Sequence, residues 1–203
     1  MNPALQLFVL LIIITIILEM AKKGLSNQRA NQLSDLLMKQ EFSDFYVLLD
    51  EKKTKLLLPP FNLNYFRLTA AFLEKNGRKV NECLESFKKM KLNEKQKEAV
   101  YSNAFSYYLE NNNRIKTQQY LQVIKELSNS ELINETNMLY DIHFNHNTKY
   151  LNQFLKKLET ASNEEKSYLE SMICKIYEMS GDQQKAKEYK EKAKDSYLKY
   201  NTK

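Results

Sequence analysis

The chain has 203 residues, 43% hydrophobic and 28% charged, which suits one packed domain and excludes both two large domains and a wholly disordered chain. With 3 Gly and 3 Pro, it lacks the residues for many tight β turns or a glycine-rich phosphate loop, and its abundant Leu, Lys, Glu, Gln and Ala favour an all-α class. The excess of 31 Lys+Arg over 25 Asp+Glu gives +6, but Lys185, Lys187, Lys190, Lys192 and Lys194 alternate with Glu188, Glu191 and Asp195, as on a solvated helix face.

Within residues 7–18 the only polar side chain is Thr15, and apolar character extends over 3–20 with Gln6 and Glu19 near its edges. A bilayer span needs about 20 such residues, with about 17 as the lower limit. Residues 3–21 are therefore expected to form a transmembrane helix, with 22–26 as a linker. A secretory signal peptide would carry positive charge before the apolar run and a small-residue cleavage site after it. Neither is present, because Leu18-Glu19-Met20-Ala21-Lys22-Lys23 is a poor cleavage site. A buried core helix is the smaller alternative. Lys22, Lys23 and Arg29 follow the run and no Lys or Arg precedes it, which predicts a single-pass cell-membrane protein with its folded part in the cytoplasm. The reverse orientation would make Asn134-Glu135-Thr136 a glycosylation sequon.

Gly24 is expected to break the helix leaving the membrane, with Ser26 or Asn27 capping the next. Apolar residues then recur at helical spacing, and breaker residues divide the chain into pairs. The expected pairs are 27–40 with 42–53, 61–76 with 79–91, 94–110 with 114–127, 130–144 with 148–160, and 163–179 with 183–199. Pro59-Pro60, Asn76-Gly77, Asn111-Asn112-Asn113 and Ser180-Gly181-Asp182 mark the turns. The pairs recur about every 35 residues, the interval of helix-turn-helix units that stack on their neighbours. The domain is expected over 27–199, with 200–203 as a tail.

In the last pair, Tyr177, Gly181-Asp182, Ala186, Tyr189 and Ala193 fall where a tetratricopeptide repeat places its aromatic, its turn and the small residues of its second helix. Cys83, Phe87 and Met90, then Thr117, Leu121 and Ile124, then Leu151, Leu155 and Leu158 match more loosely. The chain thus resembles the tetratricopeptide family, although the repeat's Trp, its Leu-Gly pair and its closing proline are missing. The resemblance implies an α-α superhelix of hairpins behind the anchor. A plain helical bundle is the competing architecture.

Little in the sequence carries chemistry. His143 and His146 form an HxxH pair near Asp141, but no second ligand pair accompanies them. Cys83 and Cys174 lie in apolar patterns without the basic, polar or glycine-rich setting that activates a thiol, and no Gly-x-Ser-x-Gly elbow occurs. The expectation is a protein that is not an enzyme, with no catalytic residue, cofactor or metal and no small-molecule substrate. Tyr and Phe number 13 and 10, and in helical repeats such rings pack between helices far more often than they stack on bases, so no nucleic acid is expected.

What the resemblance implies about binding is a concave surface lined by the first helix of each pair. That register selects Tyr65 and Phe72, then Ser102 and Ser106, then Tyr140, His143 and Phe144, then Tyr168 and Lys175. Aromatics with a few polar groups suit a groove that receives a helix or an extended peptide. Each of these residues has an equal claim to be plain core, as when Tyr140 and Phe144, four apart, face the next helix. The expected role is a membrane-anchored scaffold or adaptor for a membrane-associated protein partner, with residues 3–21 in the bilayer. The alternative is a structural subunit of a membrane assembly that is contacted through the transmembrane helix.

Overall fold

A computed structural model describes residues 22–201. Among the described residues there are eleven α-helices, one 3-10 turn and no strand. Helix α1 covers 22–38, followed by α2 (Phe42–Asp50), α3 (Lys52–Leu57), α4 (Pro60–Leu73) and α5 (Gly77–Lys88). Then come α6 (Glu94–Glu110), α7 (Arg114–Lys125), α8 (Ser130–Asn145), the 3-10 turn Thr148–Tyr150, α9 (Leu151–Thr160), α10 (Asn163–Ser180) and α11 (Gln183–Asn201). The chain is all-helical; the expected helix over 42–53 is broken into α2 and α3, while the later pairs lie near their expected bounds.

Two expectations are corrected. No helix among the described residues is long and apolar enough to cross a membrane, so the architecture of a transmembrane helix leading a superhelix does not stand. The segment 3–21 that carried it lies outside the described residues. The physical contrast is plain in α1, where Leu33 and Leu37 are buried four residues apart while Asn31, Gln32 and Asp35 are exposed; one face is apolar, not the whole circumference. The second correction concerns the linker over 22–26, which is helical. Glycine in a helix interior costs only about 1 kcal/mol, so a lone Gly24 does not stop a helix whose neighbours favour it.

The turns inside the pairs repeat. A residue in the left-handed conformation ends the first helix at Gln40, Lys75, Asn112, His146 and Gly181, at intervals of 34 to 37 residues. In four of these turns the next residue's N–H reaches five residues back: Glu41 to Leu36 (2.9 Å), Asn76 to Ala71 (3.0 Å), Asn113 to Tyr108 (2.9 Å) and Asp182 to Tyr177 (3.0 Å). That bond satisfies a carbonyl the helix end would leave open. At His146 the geometry is wider, and the Asn147 N–H reaches Asp141 at 3.2 Å. Asn76, Asn113 and Asp182 then cap the second helix by accepting from the backbone N–H three residues on, each at 3.1 Å. Asx residues are favoured there because their short side chains can reach the open N–H groups. Helices α8 and α10 start on Asn129, which accepts from Leu132 N at 3.0 Å, and on a Ser162–Glu165 capping box.

The helices form two compact units, divided between Asn93 and Glu94. In the first, Leu33 and Leu37 of α1 meet Phe45 and Leu49 of α2, Leu58, and Ala70 of α4. In the second, Ile142, Phe154, Leu169, Ile173, Ile176, Tyr177 and Ala186 form a core. Burying each large apolar side chain stabilises by roughly 1.5–3 kcal/mol. Small residues set the closest approach: Ala186 and Ala193 are both buried, and the Ser167 hydroxyl of α10 donates to the Ala193 carbonyl of α11 at 3.0 Å.

Candidate functional site

In the second unit, consecutive pairs are tied by polar contacts between positions about one repeat apart. Glu94 Oε1 accepts from the Ser128 N–H at 2.6 Å, and Glu98 Oε2 accepts from Asn129 Nδ2 at 3.2 Å, separations of 34 and 31 residues. Further on, Asn112 Oδ1 lies 2.5 Å from His143 Nε2, Lys175 Nζ contacts His143 Nδ1, and the Tyr168 hydroxyl donates to Glu135 Oε1 at 3.4 Å, separations of 31, 32 and 33. Neighbouring pairs therefore touch at intervals near one repeat, which is compatible with a helical repeat.

Where α8, α9 and α10 diverge, they leave an open cleft of about 710 Å³. Met138, Tyr150, Phe154 and Leu169 line it with apolar surface, while Glu131, Asn134, Glu135, Asn137, Gln153 and Lys157 supply polar groups. Tyr168 stands at its side, 42% exposed. Burial, then the charge and hydrogen bond of Glu135, push the phenol up to about 12. It is a neutral hydroxyl at any physiological pH.

A second cluster gathers at the C-terminal end of α8. Tyr140 is buried, and its ring lies 5.1 Å from Phe144, which in turn lies 4.7 Å from the His143 ring. Arg114, the first residue of α7, donates through Nε to the Tyr140 hydroxyl (3.3 Å) and through Nη2 to Asn145 Oδ1 (2.9 Å), with its guanidinium over the Phe144 ring. Burial lowers the Lys175 ammonium, and Glu178 and Glu110 act in the other sense.

Of the nine residues selected from the sequence, the fold brings Tyr140, His143, Phe144 and Lys175 into this cluster, and it places Tyr168 in the cleft. Tyr140 is core, as its alternative reading held. Ser102 directs its hydroxyl to the Ala99 carbonyl at 3.4 Å, while Ser106 is exposed on α6. Tyr65 and Phe72 belong to the first unit, half-buried on α4, with Tyr65 stacked on Phe61 at 5.7 Å. The HxxH pair does not converge: His146 takes the left-handed turn position, and both His143 nitrogens already have partners. Among the described residues no three His, Cys, Asp or Glu side chains group as metal ligands.

The sequence reading missed Asn112, Arg114 and Asn145 in the cluster, and Glu131, Glu135, Met138 and Lys157 in the cleft. Asn112 lies in a turn and Arg114 opens a second helix, places that the groove register skips, and Asn145 is the last residue of α8. It also missed a groove of about 650 Å³ in the first unit, lined by Tyr46 of α2, Leu63, Asn64 and Arg67 of α4, and Lys79 and Cys83 of α5. There Arg67 is paired with Asp50 (2.6 Å) and Lys79 with Glu74 (2.8 Å). Burial pushes the thiols of Cys83 and Cys174 up, away from the thiolate form that nucleophilic chemistry requires. No protein-family model matches the chain, no curated protein matches it, and no solved structure matches it.

Proposed function

We propose that this chain is a tetratricopeptide-like binding module that holds a segment of a protein partner in the α8–α9–α10 cleft. The observation that carries the reading is the cleft itself: about 710 Å³, lined by apolar and polar groups together, with Tyr168 at its side oriented by Glu135 of the preceding pair. Peptide grooves combine apolar anchoring surface with a few oriented hydrogen-bonding groups, and Tyr168 with Glu135 supplies that combination. The recurrence of the left-handed turn at Gln40, Lys75, Asn112, His146 and Gly181 supports the repeat on which the reading depends. Binding rather than catalysis accords with thiols whose pKa values are raised by burial and with His143 nitrogens already engaged by side chains.

The test is site-specific photo-crosslinking of the full chain in an extract of the source cells. A photoreactive residue replaces Gln153 at the cleft, or Lys187 on α11 as a control. The reading expects one protein adduct from position 153, none from 187, and loss of the adduct on Tyr168→Ala. Identical adducts from both positions, or an adduct indifferent to Tyr168→Ala, refute it.

A further inference from the structure

His143 is a titratable ring in the second unit bonded on both sides to other helical pairs. Its Nδ1 faces the ammonium of Lys175 on α10, and its Nε2 faces Oδ1 of Asn112 in the α6–α7 turn. An ammonium has only hydrogens to offer, so Nδ1 must be the acceptor, and Asn112 Oδ1 has only lone pairs, so Nε2 must carry the proton. The contacts are therefore satisfied only by the neutral Nε2–H tautomer. An imidazolium would place a second N–H against the Lys175 ammonium, turning a hydrogen bond into a contact between like charges.

The surroundings offer an imidazolium no compensation. On α8 itself, Asp141 is occupied by Asn145 (2.9 Å), Tyr150 (3.0 Å) and Lys149 (3.6 Å), and His146, just past the helix end, also acts against charge on the His143 ring. From α7 comes Arg114, already cationic and held by the neutral partners Tyr140 and Asn145. From α6 and α10 come Glu110 and Glu178, whose charges act on Lys175. Burial first, then Lys175 and His146, hold the His143 ring below the ordinary histidine range, and no carboxylate among the described residues opposes them.

We propose that His143 is a proton-operated latch: neutral, it ties α8 to both the α6–α7 turn and α10, and protonated, it repels Lys175 and loosens α10 from α8. The latch depends on the ring's own contacts and not on the cleft being a binding site. A histidine held neutral by the fold stabilises fully above its unfolded value of about 6.5. That stabilisation declines as the pH falls through this value towards the lower folded one.

The test is a proton NMR titration of the two histidines in the full chain, assigned with His146→Asn, alongside thermal melts from pH 7.5 to 5. The latch expects His143 to titrate below about 6.5, and Lys175→Met to move it up towards that value. It also expects the melting temperature to fall with acid in the native chain and to fall less in His143→Gln. Should His143→Gln fail to fold, the Lys175→Met titration still decides. Titration of His143 at or above the ordinary value, no response to Lys175→Met, or an acid sensitivity unchanged in His143→Gln each overturns it.

Discussion

The hydroxyl of Tyr168 on α10 donates to Oε1 of Glu135 on α8 at 3.4 Å, so the aromatic side chain of the cleft is oriented by the preceding pair. Burial and the Glu135 charge together raise its phenol to about 12. Ultraviolet titration of the native chain should therefore show Tyr168 ionising well above the ordinary value of about 10, and Glu135→Gln should bring it down without restoring that value, because burial persists. The sign for stability follows: what the raised phenol contributes is present below about pH 10 and lost as the pH rises towards 12. A Tyr168 signal indistinguishable from that of free tyrosine would contradict the contact.

The repeated turn gives a prediction in two directions. Lys75 adopts a φ of 52° and Gly181 one of 82°, a conformation that costs an L side chain roughly 1 kcal/mol and costs glycine almost nothing. Lys75→Gly should raise unfolding stability by about 0.5–1 kcal/mol. Gly181→Ala should lower it by about 1 kcal/mol, a purely conformational loss, since an added Cβ meets nothing within 4 Å. Urea melts of both variants measure this, and a stabilised Gly181→Ala would be the wrong sign.

Thr54 of α3 is fully buried and its Oγ1 has no hydrogen-bond partner among the described residues. Thr54→Val keeps the shape and removes the hydroxyl, so it should stabilise by about 1 kcal/mol. A loss of stability would show that the hydroxyl has a partner after all.

Tyr140 separates packing from polarity. It is 9% exposed, so Tyr140→Ala should cost about 3–5 kcal/mol. Tyr140→Phe removes only the acceptor for Arg114 and should cost about 0.5–1.5 kcal/mol. Equal losses in calorimetry would mean that the ring contributes no packing. For that reason Tyr140→Ala is a poor probe of binding.

How much of this was legible in the sequence depends on what each residue answers to. The helical pairs were readable because their boundaries are set locally, by Pro59-Pro60, by Asn113 and by Gly181-Asp182, whose turn chemistry needs no tertiary contact. Lys75 shows the limit: Asn76-Gly77 marked the turn correctly, yet the left-handed residue is Lys75 and Gly77 opens α5. Gly24 misled because one glycine is a weak breaker inside a helix that continues on both sides. For the site, the register selected Tyr140, His143 and Lys175, but it could not foresee that Asn112, in a turn, would meet His143, or that Arg114, on a second helix, would meet Tyr140. The cleft was hidden for a related reason, since its walls come from α9 as well as from the first helices. Contacts between pairs depend on how helices diverge, and periodicity within one helix carries no information on that.

The most direct measurement starts from the full chain panned against a random peptide library, with the selected peptide titrated by calorimetry into the native protein and into Tyr168→Ala. An aromatic anchor at the centre of a binding site is worth about 1.4 kcal/mol or more, a factor of ten in Kd. The account predicts at least about tenfold weaker binding to Tyr168→Ala and unchanged binding to Lys187→Ala. A selected peptide that binds both variants as tightly as the native chain would place recognition elsewhere and contradict the cleft.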